Sequence, residues 1–333
     1  MADGDAKVRA QYEAYPYPDR EPGDEAHRLI TGSPSHLLEI EHFVLAGGRS
    51  DNLRALVAGG GTGDGAIMLA QQLADRGSGS VTYLDMSTAS LAIAKSRAEV
   101  RGLANISFYH GSLLDLPNMD WEPFDYIDCC GVLHHLAAPG EGLAALTSVL
   151  VEQGGLGLML YGELGRTGVY PAQRAIARLV ASDPADESLD LARRLVAAMP
   201  AGNWLKRNEH LSDHLAGDDA GFHDLLLHSR DRAYLVDEIA KLMASAGLRI
   251  TGFLPPGAYD PGQYLDDPEL RARAADLPLL ERWALAEELS GAMKTHVFYA
   301  VRQGNETGGV ATGFAPSMVP VLREMTPERL AAS

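Results

Sequence analysis

The chain has 333 residues, about two domains or one elaborated domain at roughly 150 residues each. A hydrophobic share of 46% supports a sizeable core and excludes disorder throughout, while 28 basic against 45 acidic side chains, a formal charge of −17, argue against phosphate-backbone binding. No apolar run approaches the roughly 18 residues that span a membrane, and the polar, acidic first residues are unlike a secretory signal, so a cytoplasmic protein without membrane insertion is expected.

In chain order, residues 1–50 read as an N-terminal arm and a helix. The arm carries Tyr15-Pro16-Tyr17-Pro18, whose prolines forbid a regular helix there and hold two aromatic rings on an extended backbone. It reads either as a surface strap or as a flap over an active-site mouth. SPSHLLEIEHFVLAGG predicts a helix capped by Ser33, with Pro34 at its first position and Gly47-Gly48 as its stop.

From Leu53 the pattern alternates between strand and helix. LRALVA, VTYLD, ISFYHG, FDYIDCCGV and GLGLMLYG read as five strands. Between them fall helices AIMLAQQLADRG, Thr88 to Arg101 with Ser87 as cap and Gly102 beyond, and PGEGLAALTSVLVEQ, opened by Pro139. Residues 51–162 are thus expected to form a parallel sheet with helices on both faces. The stretch 163–230 is far longer than an ordinary connection and helical in places, and reads as a cap inserted between strands five and six. Residues 231–303 resume the sheet with a helix, the sixth strand LRITGFLP, a long loop and the last strand THVFYAVR. The tail 304–333 reads as loop-like.

Gly59-Gly60-Gly61-Thr62-Gly63 follows a hydrophobic strand and opens a helix, where side-chain-free backbone can approach a ligand and the helix offers free N–H groups. Gly61 to Ala66 also satisfies the G-x-G-x-x-A dinucleotide variant, so an NAD-dependent oxidoreductase stays open at this point. Asp85 ends the second strand about 20 residues later, where a carboxylate can accept both hydroxyls of an adenosine ribose. Cys129 and Cys130 are the only cysteines, and adjacent cysteines strain a disulfide. They read as reduced thiols, and with no second thiol pair no metal site is expected.

The order of these motifs, with Gly111-Ser112-Leu113 after strand three and Cys129 to His135 at the end of strand four, resembles the class I S-adenosylmethionine (SAM)-dependent methyltransferases from Leu53 to about Gln303. That resemblance implies an α/β, Rossmann-like seven-stranded sheet with a helical insertion, and SAM as cofactor, leaving S-adenosylhomocysteine. It implies a cofactor site of Gly59, Gly60, Gly61, Gly63, Asp64, Asp85, Met86, Ser112, Leu113, Cys130 and Gly131. YEAYPYPDR, LITGSPSHLLEI, FDYIDCCGVLHHL, YGELGRTGVY and LLLHSRDRAY are similar to segments of the rickettsial protein-lysine methyltransferases, which implies a protein lysine as acceptor.

A lysine acceptor must lose a proton before it attacks, and an apolar, aromatic mouth favours the neutral amine. Tyr15, Tyr161, Arg166 and Tyr170 are the candidate acceptor-binding residues. His134, His135 and Tyr17 are the candidate catalytic ones, and the run His228 to Tyr234 is a candidate edge of the pocket. A small-metabolite methyltransferase, a SAM-fold module without catalysis and an oligomer are also compatible with the sequence. Nucleic acid is not an expected partner.

Overall fold

The computed structural model describes residues 3–48, 51–180, 185–212, 215 and 219–311. Its centre is a sheet of β1 (Arg54–Ala58), β2 (Ser80–Asp85), β3 (Ile106–His110), β4 (Phe124–Cys130), β5 (Leu150–Gly162), β7 (Leu248–Leu254) and β8 (Thr295–Arg302), in the order β3-β2-β1-β4-β5-β8-β7. The short β6 (Ala233–Tyr234) pairs with the end of β5. All pairings are parallel except those of β8, which runs antiparallel to β5 and β7. The chain leaves β1 toward β2 and β3 on one side and toward β4 and β5 on the other. Such a reversal opens a crevice at the carboxyl ends of β1 and β4.

Strands covered on both faces need apolar residues at every position, and the run LRALVA supplies them. One face buries Leu56, Ile127, Leu156 and Phe298 against Leu143 and Leu146 of α5 (Pro139–Ser148) and Ile239 and Met243 of α10 (Val236–Ser245). The other buries Val57, Tyr126 and Tyr299 against Ile40 and Phe43 of α2 (Leu37–Phe43) and Ala66, Leu69 and Leu73 of α3 (Asp64–Arg76). Beside α3 runs α4 (Thr88–Arg101), whose Ser87 cap accepts the Ser90 N–H and whose Gly102 closes its end at φ +69°. The stretch between β5 and β6 folds as α6 (Val169–Val180), α7 (Ala185–Ala198), α8 (Trp204–Arg207) and α9 (Asp219–Leu226) around its own apolar cluster, including Val169, Ile176, Leu205 and Phe222.

Four local expectations change. Residues 3–14 form a helix, α1 (Asp3–Ala14), ahead of the proline-rich segment. The α2 helix starts at Leu37 rather than beside Ser33, because tertiary bonds hold residues 33–35 out of it. The Pro34 carbonyl accepts both the Tyr126 and Tyr299 hydroxyls, at 2.6 and 2.9 Å, and the Ser35 hydroxyl donates to Asp128. The predicted α5 stops at Ser148, and Leu150 to Gln153 join β5 instead, with a bulge between Phe124 and Tyr126 taking up the extra residues. Finally, the loop before the last strand contains α11 (Pro268–Ala275), capped by Asp267, and α12 (Leu279–Ser290). The tail beyond residue 311 lies outside the described residues. Among the described residues no helix is long and apolar enough to cross a membrane.

A buried ion network fastens the arm to this frame. Arg97 of α4, 1% exposed, donates to Glu25 at 2.6 Å, to the Thr62 carbonyl at 2.8 Å and to Asp64 at 2.7 Å. Arg101 also bonds Glu25, and Arg20 grips Asp64 through two nitrogens. Burial pushes the Asp64 carboxyl up, but its bonds to Arg20 and Arg97 outweigh that and hold it below the usual range. Removing one member of a buried pair strands the other charge. Arg97→Met is therefore expected to lower stability by about 3 kcal/mol in urea unfolding, and a change within 0.5 kcal/mol would show the network to be neutral.

Candidate active site

The crevice at the β1–β4 reversal opens into a cavity of about 990 Å³. At one end the backbone of Gly59, Gly60 and Gly61 forms its wall. Gly59 and Gly61 stand at φ +75° and +53°, where an L side chain is strained. A Cβ on Gly60 would strike the Tyr83 ring, and the Tyr83 hydroxyl donates to the Gly61 carbonyl at 2.6 Å. The turn therefore has no room for side chains on either side. Gly63, at φ +104°, caps α3 and packs toward Ala94 rather than lining the cavity.

Asp85 closes the same end. One carboxylate oxygen accepts the Gly61 N–H and the other the Ser87 N–H, each at 2.8 Å, and burial raises its pKa. Each oxygen keeps a lone pair for a hydroxyl donor. Met86, Ser112 and Leu113 line the adjoining wall, with Ser112 also accepting the Leu114 N–H. Asp64, Cys130 and Gly131 complete the predicted cofactor set at the cavity surface. The pleat separates the two thiols: Cys129 is buried in the apolar core and Cys130 is exposed at the cavity. A buried acceptor pair for a ribose, bare backbone for close approach and apolar flanks for a flat base form a donor and acceptor set that fits SAM.

The arm lies across the glycine turn. Thr62 donates to the Pro18 carbonyl at 2.7 Å, and the Tyr17 carbonyl lies 2.8 Å from where a Gly61 Cβ would stand. Tyr17 lines the cavity, whereas Tyr15 turns away and stacks on His223 at 4.7 Å.

At the far end, past β4 and β5, the structure brings some candidates together and excludes others. His135 and Tyr161 line the cavity. His134 does not: it is buried, stacked on the Tyr161 ring at 3.8 Å, and its burial holds its pKa well below the usual value. Arg166 also misses the cavity, because it pairs with buried Asp231 at 3.0 Å and lies 3.7 Å over the Tyr161 ring. Tyr170, on α6, lies beside that ion pair and also misses the cavity. With His134 and Arg166 on its two faces, Tyr161 presents only its hydroxyl edge.

Tyr12 and Asp224 line this end, Asp128 lines the cavity beside Ser35 and the start of α3, and all three escaped the sequence reading. The Tyr12 hydroxyl lies 3.3 Å from Nε2 of His135 and of His228 and donates to Asp224 at 3.2 Å. The Tyr161 hydroxyl donates to the other Asp224 oxygen at 2.8 Å. His135 Nδ1 donates to the Arg230 carbonyl, leaving Nε2 as an acceptor, and burial lowers its pKa to about 4. His135, Asp224 and His228 place one ligand-type atom each within 4.8 Å, the composition of a divalent-metal site. However, the Tyr12 hydroxyl fills their common centre. His228 Nδ1 accepts the Arg230 N–H, so its Nε2 carries the ring proton and donates. The spacing of Val8, Gln11 and Tyr12 on α1, and of Asp224 and His228, was the available signal for these residues.

Residues 55–154 match the family model of a methyltransferase domain. An uncharacterised Synechococcus protein is 32% identical over 307 residues, covering 89% of this chain and 71% of that protein. The chain belongs to the class I SAM-dependent methyltransferases. SAM is accordingly its cofactor, and the oxidoreductase reading falls away. The tRNA 5-carboxymethoxyuridine methyltransferase of Escherichia coli is 37% identical to this methyltransferase over 123 residues, 37% of this chain and 45% of that enzyme. PKMT2 from Rickettsia typhi, solved with AdoHcy, shares the fold at a TM-score of 0.63 and 16% identity over 81% of this chain. The methyltransferase spans about half that protein's length, 53%.

Asp128 generates a pH test. It shares the cavity-facing side of β4 with Cys130, accepts the Ser35 hydroxyl, and burial raises its pKa from 3.8 to about 6. Between about pH 4 and 6 the native state then binds more protons than the unfolded chain, so this group's contribution to stability falls as pH rises through that window. The charged form costs on the order of 3 kcal/mol. Relative to wild type, Asp128→Asn should gain about 2 kcal/mol in urea unfolding between pH 4.5 and 7. Lowered histidine pKa values tilt both proteins equally the other way, so only the difference is read. A flat difference would refute the shift.

Proposed function

We propose that this methyltransferase transfers its methyl group to an amine, with a protein lysine as the preferred acceptor. The observation that carries the reading is the far end of the cavity, where Tyr12 and Tyr161 donate to the buried Asp224 carboxylate and Tyr17 lines the same cavity. Arg166 behind that end is spent on Asp231 and the Tyr161 ring, and Arg9, which lines the cavity, pairs with Glu13 at 3.9 Å. An acceptor bearing phosphate or carboxylate would meet Asp224 in a chain of charge −17. An amine meets complementary charge there. The motif resemblance to the rickettsial protein-lysine enzymes points the same way. A small-metabolite amine is the second reading, favoured by the arm, which packs over the mouth that a protein side chain must enter.

In this reading Asp85 holds the ribose, the glycine turn admits the methionine part, and Met86, Ser112 and Leu113 flank the adenine. When bound, SAM supplies a methyl group already activated by its sulfonium. The protein's part is alignment and exclusion of water. An ammonium acceptor, with a pKa of about 10.4 in water, gives up one proton before attack. The free lone pair then bonds to the methyl carbon, and the carbon–sulfur electron pair remains on sulfur. Asp224, Tyr12 and His135 form the hydrogen-bonded path available to that proton, with Tyr17 closing the site from the arm. His134 acts through packing of Tyr161.

Offering radiolabelled SAM to cell lysate with the purified protein, followed by acid hydrolysis, should yield methylated lysine. Label confined to small molecules would overturn the lysine assignment. Asp85→Ala should weaken SAM binding by about 1.5–3 kcal/mol, as for hydrogen bonds to a charged group, when read by calorimetry. Deleting residues 1–20 should lower turnover at least about 100-fold well below the melting temperature. Unchanged turnover would reduce the arm to a surface strap.

A further inference from the structure

We infer that Asp128, on β4, is the residue that holds the α-ammonium group of the cofactor's methionine part. This rests on placing that part at the glycine turn and is independent of the acceptor. Val57 of β1 pairs in register with Asp128, just before Gly59 opens the turn. Both residues line the cavity, together with Gly59, Gly60 and Gly61 and with Asp64 and Gly65 at the start of α3. The wall behind the turn is thus apolar on β1 and acidic on β4. The carboxylate reaches as far as α3, where Oδ2 lies 3.2 Å from the place a Cβ on Gly65 would take. A side chain at that position would press on both Asp128 and the Ser35 hydroxyl.

Asp128 is 1% exposed, and its two oxygens are used unequally. Oδ2 accepts the Ser35 hydroxyl, while Oδ1 has no hydrogen-bond partner among the described residues. The Ser35 hydroxyl and the Cys130 N–H favour the charged form, but burial outweighs both, and among the described residues no cation offsets it. An amide oxygen would serve the Ser35 hydroxyl equally well, so that bond does not account for an acid at this position. A buried carboxylate without a cation costs stability, and a ligand that brings the cation offsets that cost on binding. The methionine part brings one: its ammonium carries a full charge and three N–H donors, one of which suits Oδ1. Its own carboxylate suits the N–H groups that the first turn of α3 leaves without intrahelical partners. The two charges of one amino-acid group thus meet opposite partners in the same corner of the cavity. The sulfonium is charged but has no N–H, and so leaves Oδ1 unsatisfied.

The test is a calorimetric titration of the full-length protein at neutral pH with S-adenosylhomocysteine and with its deamino analogue, in which hydrogen replaces the α-amino group. Wild type should bind S-adenosylhomocysteine at least about tenfold more tightly than the analogue, as for hydrogen bonds to a charged group. Asp128→Asn keeps the shape and an oxygen for the Ser35 hydroxyl, and it removes a buried charge, so the fold is retained. It should lose at least about tenfold in S-adenosylhomocysteine affinity while its affinity for the analogue stays within about twofold. Asp85→Ala, at the ribose, should weaken both ligands by the same factor. Equal factors for the two ligands in Asp128→Asn, including no loss for either, would overturn the ammonium contact and leave the cofactor placement standing. Undiminished binding of both ligands by Asp85→Ala would overturn the placement itself. Weaker binding of SAM but not of S-adenosylhomocysteine in Asp128→Asn would assign the carboxylate to the sulfonium and overturn the ammonium contact.

Discussion

A single buried guanidinium, that of Arg97, binds together the parts on which the cofactor end depends. Its nitrogens reach the arm at Glu25, the glycine turn at the Thr62 carbonyl and the start of α3 at Asp64. A planar fork with fixed directions is suited to this, because one side chain satisfies three acceptors on three segments at once. The neighbouring Arg20 and Arg101 complete the neutralisation, so the buried Glu25 and the partly exposed Asp64 are both compensated. The arm is therefore part of the cofactor end, although it precedes the sheet by some thirty residues.

Charge is arranged differently at the two ends of the cavity. Near the glycine turn, Asp64 is neutralised by arginines, and Asp85 is held by backbone N–H groups. At the other end, Asp224 accepts the Tyr12 and Tyr161 hydroxyls. The first arrangement fastens the arm to the turn; the second sets a carboxylate among tyrosine hydroxyls at the cavity wall. Low dielectric around the far end strengthens any cation placed there relative to water.

The sheet and its glycine turn were legible because they are written locally. Continuous apolar runs mark the strands, Ser87 and Gly102 bracket α4, and the glycine cluster marks the turn at the end of β1. What escaped is set by contacts distant in sequence. Ser33 looks like a helix cap, yet two tyrosine hydroxyls from β4 and β8 claim the Pro34 carbonyl and delay the helix. His134 and His135 are indistinguishable in a string of letters; the turn after β4 sends one into packing and the other to the cavity. Arg166 has the chemistry of a substrate ligand but is consumed by Asp231, 65 residues away. Tyr12 and Asp224, 212 residues apart, acquire meaning only when α1 and α9 meet.

The insertion between β5 and β6 closes its apolar cluster on itself, with Val169, Ile176, Leu205 and Phe222 buried among its own helices and not in either sheet core. Cooperative units of stability follow such boundaries, so the cap can open as a body at a cost below that of global unfolding. Asp224 travels with that body, while Asp85 and the glycine turn remain on the sheet. Amide exchange should thus divide the protein into a slow-exchanging sheet and a faster-exchanging cap. The cap and the sheet are thus separate units of packing, so substitutions within the cap's own cluster leave the packing behind the glycine turn unchanged.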